Sequence, residues 1–118
     1  MSSHRVLVVE DEALVSMILE EMLADLGHTV VATAATFESG VHLASQEDFD
    51  VAILDLNIAG KESYEIADIL IRRELPFVFA TGYGLSSLRE AYRKWPTLEK
   101  PFRAEQLHDV LTRLFASA

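Results

Sequence analysis

Val51-Ala52-Ile53-Leu54-Asp55 sets four apolar residues directly before a carboxylate. An apolar run without alternation marks a strand buried on both faces, and such strands belong to parallel sheets covered by helices on either side. Upstream, Arg5-Val6-Leu7-Val8-Val9 reads the same way and opens onto Glu10-Asp11-Glu12. Downstream, Pro76-Phe77-Val78-Phe79-Ala80 leads to Thr81, and a short last strand leads to Lys100 and Pro101. Each run delivers a polar group at its carboxyl end.

Helical runs separate these strands. The first is predicted over residues 12–26, with Leu14, Ile18, Met22 and Leu26 at helical spacing and Gly27 as its stop. A strand over 28–32 follows, and Thr36-Phe37-Glu38-Ser39 opens a second helix that ends near Gln46. The third helix spans about 62–73, with Pro76 beyond its end. A shorter, weakly patterned fourth helix is predicted over 85–93, closed by Trp95-Pro96. The last covers 103–115, with Leu107, Val110, Leu111 and Leu114 facing inward. Five alternations of strand and helix define an α/β fold with a doubly wound parallel sheet. In such sheets ligands collect beyond the carboxyl ends of the strands, where all the polar groups above fall.

At 118 residues the chain is read as one domain, residues 1–118, with room for a single core. A formal charge of −9 argues against a sequence-independent grip on nucleic acid and disfavours anionic membranes. There is no cysteine, which excludes disulfides, thiol catalysis and zinc-thiolate sites. No apolar run approaches the roughly 20 residues of a spanning helix, and Met1-Ser2-Ser3-His4-Arg5 leads directly into a strand, so a cytoplasmic location is expected. His4, His28, His42 and His108 fall in no metal-binding spacing, and Arg89, Arg93 and Lys94 read as a solvated basic patch.

Carboxylates brought together at strand ends repel one another and need a proton, a basic partner or a hard cation. Mg2+ suits them, because it takes oxygen ligands octahedrally and keeps waters that a phosphate can replace. A central Asp can then attack phosphorus while Thr and Lys hold the transferred oxygens.

In this order the residues resemble the receiver domain of a two-component response regulator. That family carries an acidic pair after strand one, a phosphoacceptor Asp after strand three, a Ser or Thr after strand four and Lys-Pro after strand five. Glu10, Asp11, Asp55, Thr81, Lys100 and Pro101 occupy those places. Phe79-Ala80-Thr81-Gly82-Tyr83-Gly84 resembles the signature of the FAT GUY receivers, a subgroup associated with alphaproteobacteria. The resemblance implies a CheY-like, flavodoxin-like (βα)5 fold with strand order 2-1-3-4-5, which sets strands one and three side by side. It implies that Asp55 is phosphoacceptor and metal ligand, that Asp11 binds Mg2+ directly, that Glu10 acts through water and that the Asn57 carbonyl supplies another oxygen. Thr81 would donate to the phosphoryl group, and Lys100 would pair with Asp55 before reaction and with phosphate after it. The Lys-Pro bond is commonly cis in such domains.

One departure stands out. Many receivers carry Tyr or Phe three residues before the lysine, where this chain has Thr97. Tyr83 either takes over that reporting role or packs as an ordinary loop tyrosine against the sheet edge. Gly82 leaves the approach to a phosphoryl group open, and Gly82 and Gly84 let the loop move at low cost. The interval from Thr81 to Lys100 is short for the family, which predicts a short or mobile fourth helix. Tyr92 and Trp95 are candidates for the partner-binding face.

The preferred function is a receiver that takes a phosphoryl group from a histidine kinase or histidine phosphotransfer protein. It would signal to a downstream protein partner or serve as a phosphate sink. Alternatives are a receiver cut from a larger regulator or hybrid kinase, a binding module independent of phosphorylation, and a phosphohydrolase. The last usually places Asp-x-Asp directly after strand one, a pattern absent here.

Overall fold

The computed structural model describes residues 3–116. Its centre is a five-stranded parallel sheet made of β1 (Arg5–Val9), β2 (Thr29–Ala34), β3 (Val51–Asp55), β6 (Phe77–Thr81) and β7 (Thr97–Glu99). The spatial order is β2-β1-β3-β6-β7, the order expected from the resemblance. β3, wholly buried, is bracketed by β1 (Val6 opposite Val51) and β6 (Asp55 opposite Ala80).

Alternation along the strands sorts the core into two layers. Leu7, Val9, Ala52, Leu54, Phe77 and Phe79 face α2 (Phe37–Gln46) and α3 (Tyr64–Arg72). Val6, Val8, Val51, Ile53, Val78 and Leu98 face α1 (Ala13–Asp25) and α4 (Ala104–Ala116). Burial of this apolar surface is the main force holding helices to sheet, at roughly 25 cal/mol per Å². α2 sits close because residue 40 has no side chain. A Cβ there would lie 2.8 Å from Ile66 Cδ1 and 3.1 Å from Val9 Cγ1.

α4 buries Leu107, Val110 and Leu111, as its pattern predicts, with Leu114 packed alongside. The inner face of α1 differs from the sequence reading. Leu19 and Leu23 are buried, with Met22 and Leu26 partly buried beside them, while Leu14 is 69% and Ile18 44% exposed. Apolar residues ring this helix, so spacing alone left its rotation undetermined.

No α-helix forms over 85–93. Two single 3-10 turns, Leu85–Ser87 and Glu90–Tyr92, are joined through extended backbone at Leu88 and Arg89 (ψ 144 and 142). The aromatic residues of the segment account for this. Tyr92 packs at a tilt on Tyr64, 4.5 Å between ring centroids, and Trp95 stacks at 5.6 Å on Phe77, so the chain lies against the α3 side of the core instead of coiling away from it. These two residues, candidates for a partner-binding face, are partly buried against the core.

Between β3 and α3 the chain makes a small hairpin that the sequence reading did not include. β4 (Asn57–Ile58) pairs with β5 (Lys61–Glu62) across Ala59 and Gly60, both at positive φ (52 and 90). Two central residues with positive φ make the tight turn suited to a two-residue hairpin.

Candidate functional site

The first three strands of the site end at one level because the parallel register puts Val9 opposite both Ala34 and Leu54, and Asp55 opposite Ala80. Past those ends the acidic residues converge. One carboxylate oxygen from each of Glu10, Asp11 and Asp55 lies within 4.8 Å of the other two. Glu10 and Asp55 are buried, at 3% and 7% exposure, so neither is neutralised by bulk water.

Lys100 meets this cluster from the far side of the sheet. Its Nζ donates to Glu10 Oε1 at 2.8 Å and to Asp55 Oδ2 at 3.1 Å. The backbone sets its position, since the Lys100 amide donates to Thr81 O at 2.8 Å. The Lys100-Pro101 bond is cis. One ammonium faces two buried carboxylates, so the balance remains negative. Burial and the adjacent Glu10 push the Asp55 carboxyl up to about 7 despite Lys100. Burial alone would lower the Lys100 ammonium, but its bonds to Glu10 and Asp55 hold it above its usual range.

Backbone donors fix the carboxylates. Asn57 N donates to Asp55 Oδ1 at 3.3 Å, Glu12 N to Glu10 Oε2 at 3.1 Å, and Ala59 N to Asp11 Oδ2 at 3.0 Å. The hairpin turn therefore ties Asp11 to the loop that follows Asp55. Asn57 itself is exposed, and its side-chain oxygen accepts from Gly60 N at 2.8 Å. Ser63, fully buried, donates to Asp55 O at 2.6 Å and anchors the start of α3 beneath the acidic cluster. Nothing in the sequence distinguishes Ser63 or Ala59 from ordinary loop residues; their roles emerge only once the hairpin closes.

A cleft of about 260 Å³ runs from Asp55 to Thr81, lined also by Asn57, Glu62, Gly82, Tyr83 and Ser87. Thr81 is 2% exposed and sits across this cleft from Asp55. Its hydroxyl oxygen accepts from Tyr83 N at 3.1 Å and lies 3.1 Å from Ser87 Oγ. Tyr83 is 84% exposed, so its ring does not pack against the sheet edge. A Cβ at Gly82 would meet open space, whereas Gly84 combines φ 78 with Glu99 Oε2 only 3.1 Å from where a Cβ would stand. The loop thus needs glycine at 84 more than at 82. Thr97, where an aromatic was absent, is half-buried in β7.

Three converging carboxylates, an ammonium bound to two of them and a hydroxyl in the adjoining cleft can bind a hard cation and receive an oxyanion. The donors are all oxygen, the set that favours Mg2+, Mn2+ or Ca2+ over softer metals.

The sequence profile of the response regulator receiver domain matches residues 6–112. The chain is 36% identical over 113 residues to the phyllosphere-induced regulator PhyR of Methylorubrum extorquens, covering 92% of this chain and 42% of that protein. It is 34% identical over 108 residues to the transcriptional regulatory protein PdtaR of Mycobacterium tuberculosis, covering 88% of this chain and 53% of that one. It therefore spans about half the length of these curated relatives. Among solved structures, SdrG from Sphingomonas melonis Fr1 superposes with a TM-score of 0.86 at 38% identity, covering 98% of this chain and 99% of SdrG.

Proposed function

The chain belongs to the response regulator receiver domain family, and we propose that Asp55 is its phosphoacceptor. The observation that carries this assignment is the convergence of Glu10, Asp11 and Asp55, with Lys100 bound to Asp55 and Thr81 lining the same cleft as Asp55. An Asp55 carboxylate oxygen attacks the phosphorus of a phosphohistidine in a sensor histidine kinase or phosphotransfer protein. The P–N bond breaks, its electron pair returns to the imidazole, and an acyl phosphate forms on Asp55. Self-contained catalysis of another reaction is not part of this reading: the domain acts as a signalling module.

Glu10, Asp11 and Asp55 would hold Mg2+, with the Asn57 carbonyl as a further oxygen. Bound there, the cation would supply positive charge to the oxygens of a transferring phosphoryl group. The residues of the chain do the remainder. Lys100 gives up part of its pairing with Asp55 to hold a phosphoryl oxygen, and Thr81 donates its hydroxyl to another. Tyr83, on the loop that moves with Thr81, carries the altered state to the surface.

The exposed apolar residues Leu14, Met17 and Ile18 on α1 start two residues beyond Glu12 and offer a docking patch for the phosphodonor. Output passes to a downstream protein by contact or is spent as a phosphate sink, with neither nucleic acid nor membrane as direct ligand. Among the described residues no helix is long and apolar enough to cross a membrane. A cytoplasmic location and a single domain over 1–118 complete the proposal.

Incubation with acetyl phosphate and Mg2+, read by intact mass, tests the assignment. One addition of about 80 Da, the mass of a phosphoryl group, is expected for the wild type and none for Asp55→Asn or without Mg2+. Persistent labelling of Asp55→Asn would refute the acceptor.

A further inference from the structure

Ser87 donates its hydroxyl to Gly84 O at 2.6 Å. A serine hydroxyl carries a single hydrogen, and a carbonyl can only accept. The 3.1 Å contact between Thr81 Oγ1 and Ser87 Oγ must therefore be a donation from Thr81 to Ser87. Tyr83 N occupies Thr81 from the other side as a donor. The one proton of Thr81 is thus committed to Ser87, and the hydroxyls run in a fixed direction from Thr81 through Ser87 to Gly84.

We infer that Ser87 is a positioning residue that senses the state of Thr81: when Thr81 turns its proton to a phosphoryl oxygen on Asp55, Ser87 loses its donor and the turn over Leu85–Ser87 is released. The inference rests on the assignment of Asp55 as acceptor and adds the route by which that event leaves the site. Donation to phosphate and donation to Ser87 exclude each other, because Thr81 has one hydrogen to give. Hydrogen bonds, not apolar burial, hold this turn. It is a single 3-10 turn with no buried residue, secured by Ser87 N to Gly84 O at 3.2 Å and Leu88 N to Leu85 O at 3.1 Å. The side chain of Arg93 grips the same turn through Leu88 O at 3.0 Å and Ser86 O at 3.4 Å. Release at Ser87 is passed on to Arg93 and Leu85, which line a groove of about 730 Å³ with Trp95 and the α4 residues Val110 and Leu114. No aromatic at position 97 is needed for this route, which replaces a rotating ring with a hydroxyl relay.

Amide hydrogen exchange over residues 82–89 tests the relay in the wild type, Ser87→Ala and Ser87→Thr, each before and after acetyl phosphate and Mg2+, with intact mass reporting labelling. Loss of one ordinary hydrogen bond corresponds to a roughly fivefold change in a local opening equilibrium. Labelled wild type is expected to exchange about fivefold faster than unlabelled wild type, and unlabelled Ser87→Ala, which loses the bond to Gly84 O as well as the one from Thr81, at least as fast as that and with little change on labelling. Ser87→Thr, which keeps a hydroxyl, is expected to restore wild-type behaviour. Labelled wild type that keeps its slow exchange, or unlabelled Ser87→Ala indistinguishable from wild type, overturns the relay alone. Wild type that gains no mass overturns the acceptor assignment and the relay with it.

Discussion

Lys100 Nζ stands 3.1 Å from Asp55 Oδ2, yet it makes its shorter bond, 2.8 Å, to Glu10. The ammonium is shared, and the proposed acceptor receives less than one full counter-charge. Without a cation the folded state therefore holds Asp55 at a cost. The carboxyl rises to about 7 in the fold from an unfolded value of 3.8, with burial the largest cause and Glu10 next. A group that binds protons more tightly when folded stabilises the fold below its unfolded value and loses that contribution as pH rises through the folded value. Asp55→Asn should accordingly stabilise the metal-free protein above pH 7, by on the order of 1 kcal/mol, while abolishing acetyl phosphate labelling. Urea unfolding of both proteins in chelator checks the first half. An equal or lower midpoint for Asp55→Asn would mean that Lys100 already compensates the acceptor.

The same excess of negative charge predicts what Mg2+ does to stability. A ligand that binds only the folded form adds about 1.4 kcal/mol when present at ten times its dissociation constant. The thermal midpoint of the wild type should rise with Mg2+, and that of Asp11→Asn should respond far less. Ala59 N still finds an acceptor in the asparagine side chain, so the hairpin that binds Asp11 is preserved. A full Mg2+ response in Asp11→Asn would remove Asp11 from the ligand set.

Much of this architecture was legible in the chain because each buried strand announces itself as an uninterrupted apolar run, and each run stops at a polar residue. Val51 to Leu54 could be nothing but interior, and Asp55 follows at once. The register then follows from parallel pairing. Two kinds of feature were not legible. The rotation of α1 was undetermined, since Leu14, Val15, Met17, Ile18, Leu19, Met22 and Leu23 satisfy more than one helical stripe. The 85–93 segment was read as a short helix because the competing term is tertiary: Tyr92 and Trp95 pack on Tyr64 and Phe77, residues outside that segment. Ser63 and Ser87 carry no local signal, since a serine's value lies in which acceptor happens to face it.

Truncations along α1 discriminate the two stripes directly. Leu19, 2% exposed, should cost about 2–5 kcal/mol on truncation to alanine, whereas Leu14→Ala should stay within about 0.5 kcal/mol. Chemical denaturation of both variants provides the comparison. Equal losses would place Leu14 in the core and contradict the observed rotation. Phosphotransfer from a histidine donor, set against labelling by acetyl phosphate, would show separately whether the outward stripe serves docking.

The segment in place of the fourth helix is predicted to be held by its aromatic residues, not by backbone helix formation. Tyr92 OH donates to Asp68 Oδ1 at 2.6 Å, and Tyr64 OH accepts from Arg89 N at 2.8 Å, so the two packed tyrosines pin both ends of the second 3-10 turn to α3. Tyr92→Phe should lose about 1 kcal/mol, the net contribution of one intramolecular hydrogen bond. Trp95→Ala should lose more, about 2–3 kcal/mol, because it also empties the stack on Phe77. Far-ultraviolet circular dichroism should change little in either variant, since no α-helix is lost there. A large helical loss accompanying Tyr92→Phe would contradict the assignment of 3-10 turns.

At the opposite end of the sheet, His28 predicts an acid sensitivity unrelated to phosphoryl chemistry. His28 Nδ1 accepts from the His4 amide at 3.1 Å, the His4 ring lies 3.6 Å from Phe115 in a near-parallel stack, and His108 lines the same cavity. Burial first, then the neighbouring His4 and His108, hold His28 below its usual range. A histidine whose folded pKa is lowered binds fewer protons folded than unfolded, so its contribution is present above the unfolded value of 6.5 and fades as pH falls through the folded value. Asp55 acts with the opposite sign over part of that window, so the measurement belongs in the Asp55→Asn background. There, the urea midpoint should fall between about pH 7 and pH 5.5, and adding His28→Asn should flatten the slope, because asparagine can accept from the His4 amide without titrating. An unchanged slope in the double variant would remove His28 as the source of the acid sensitivity.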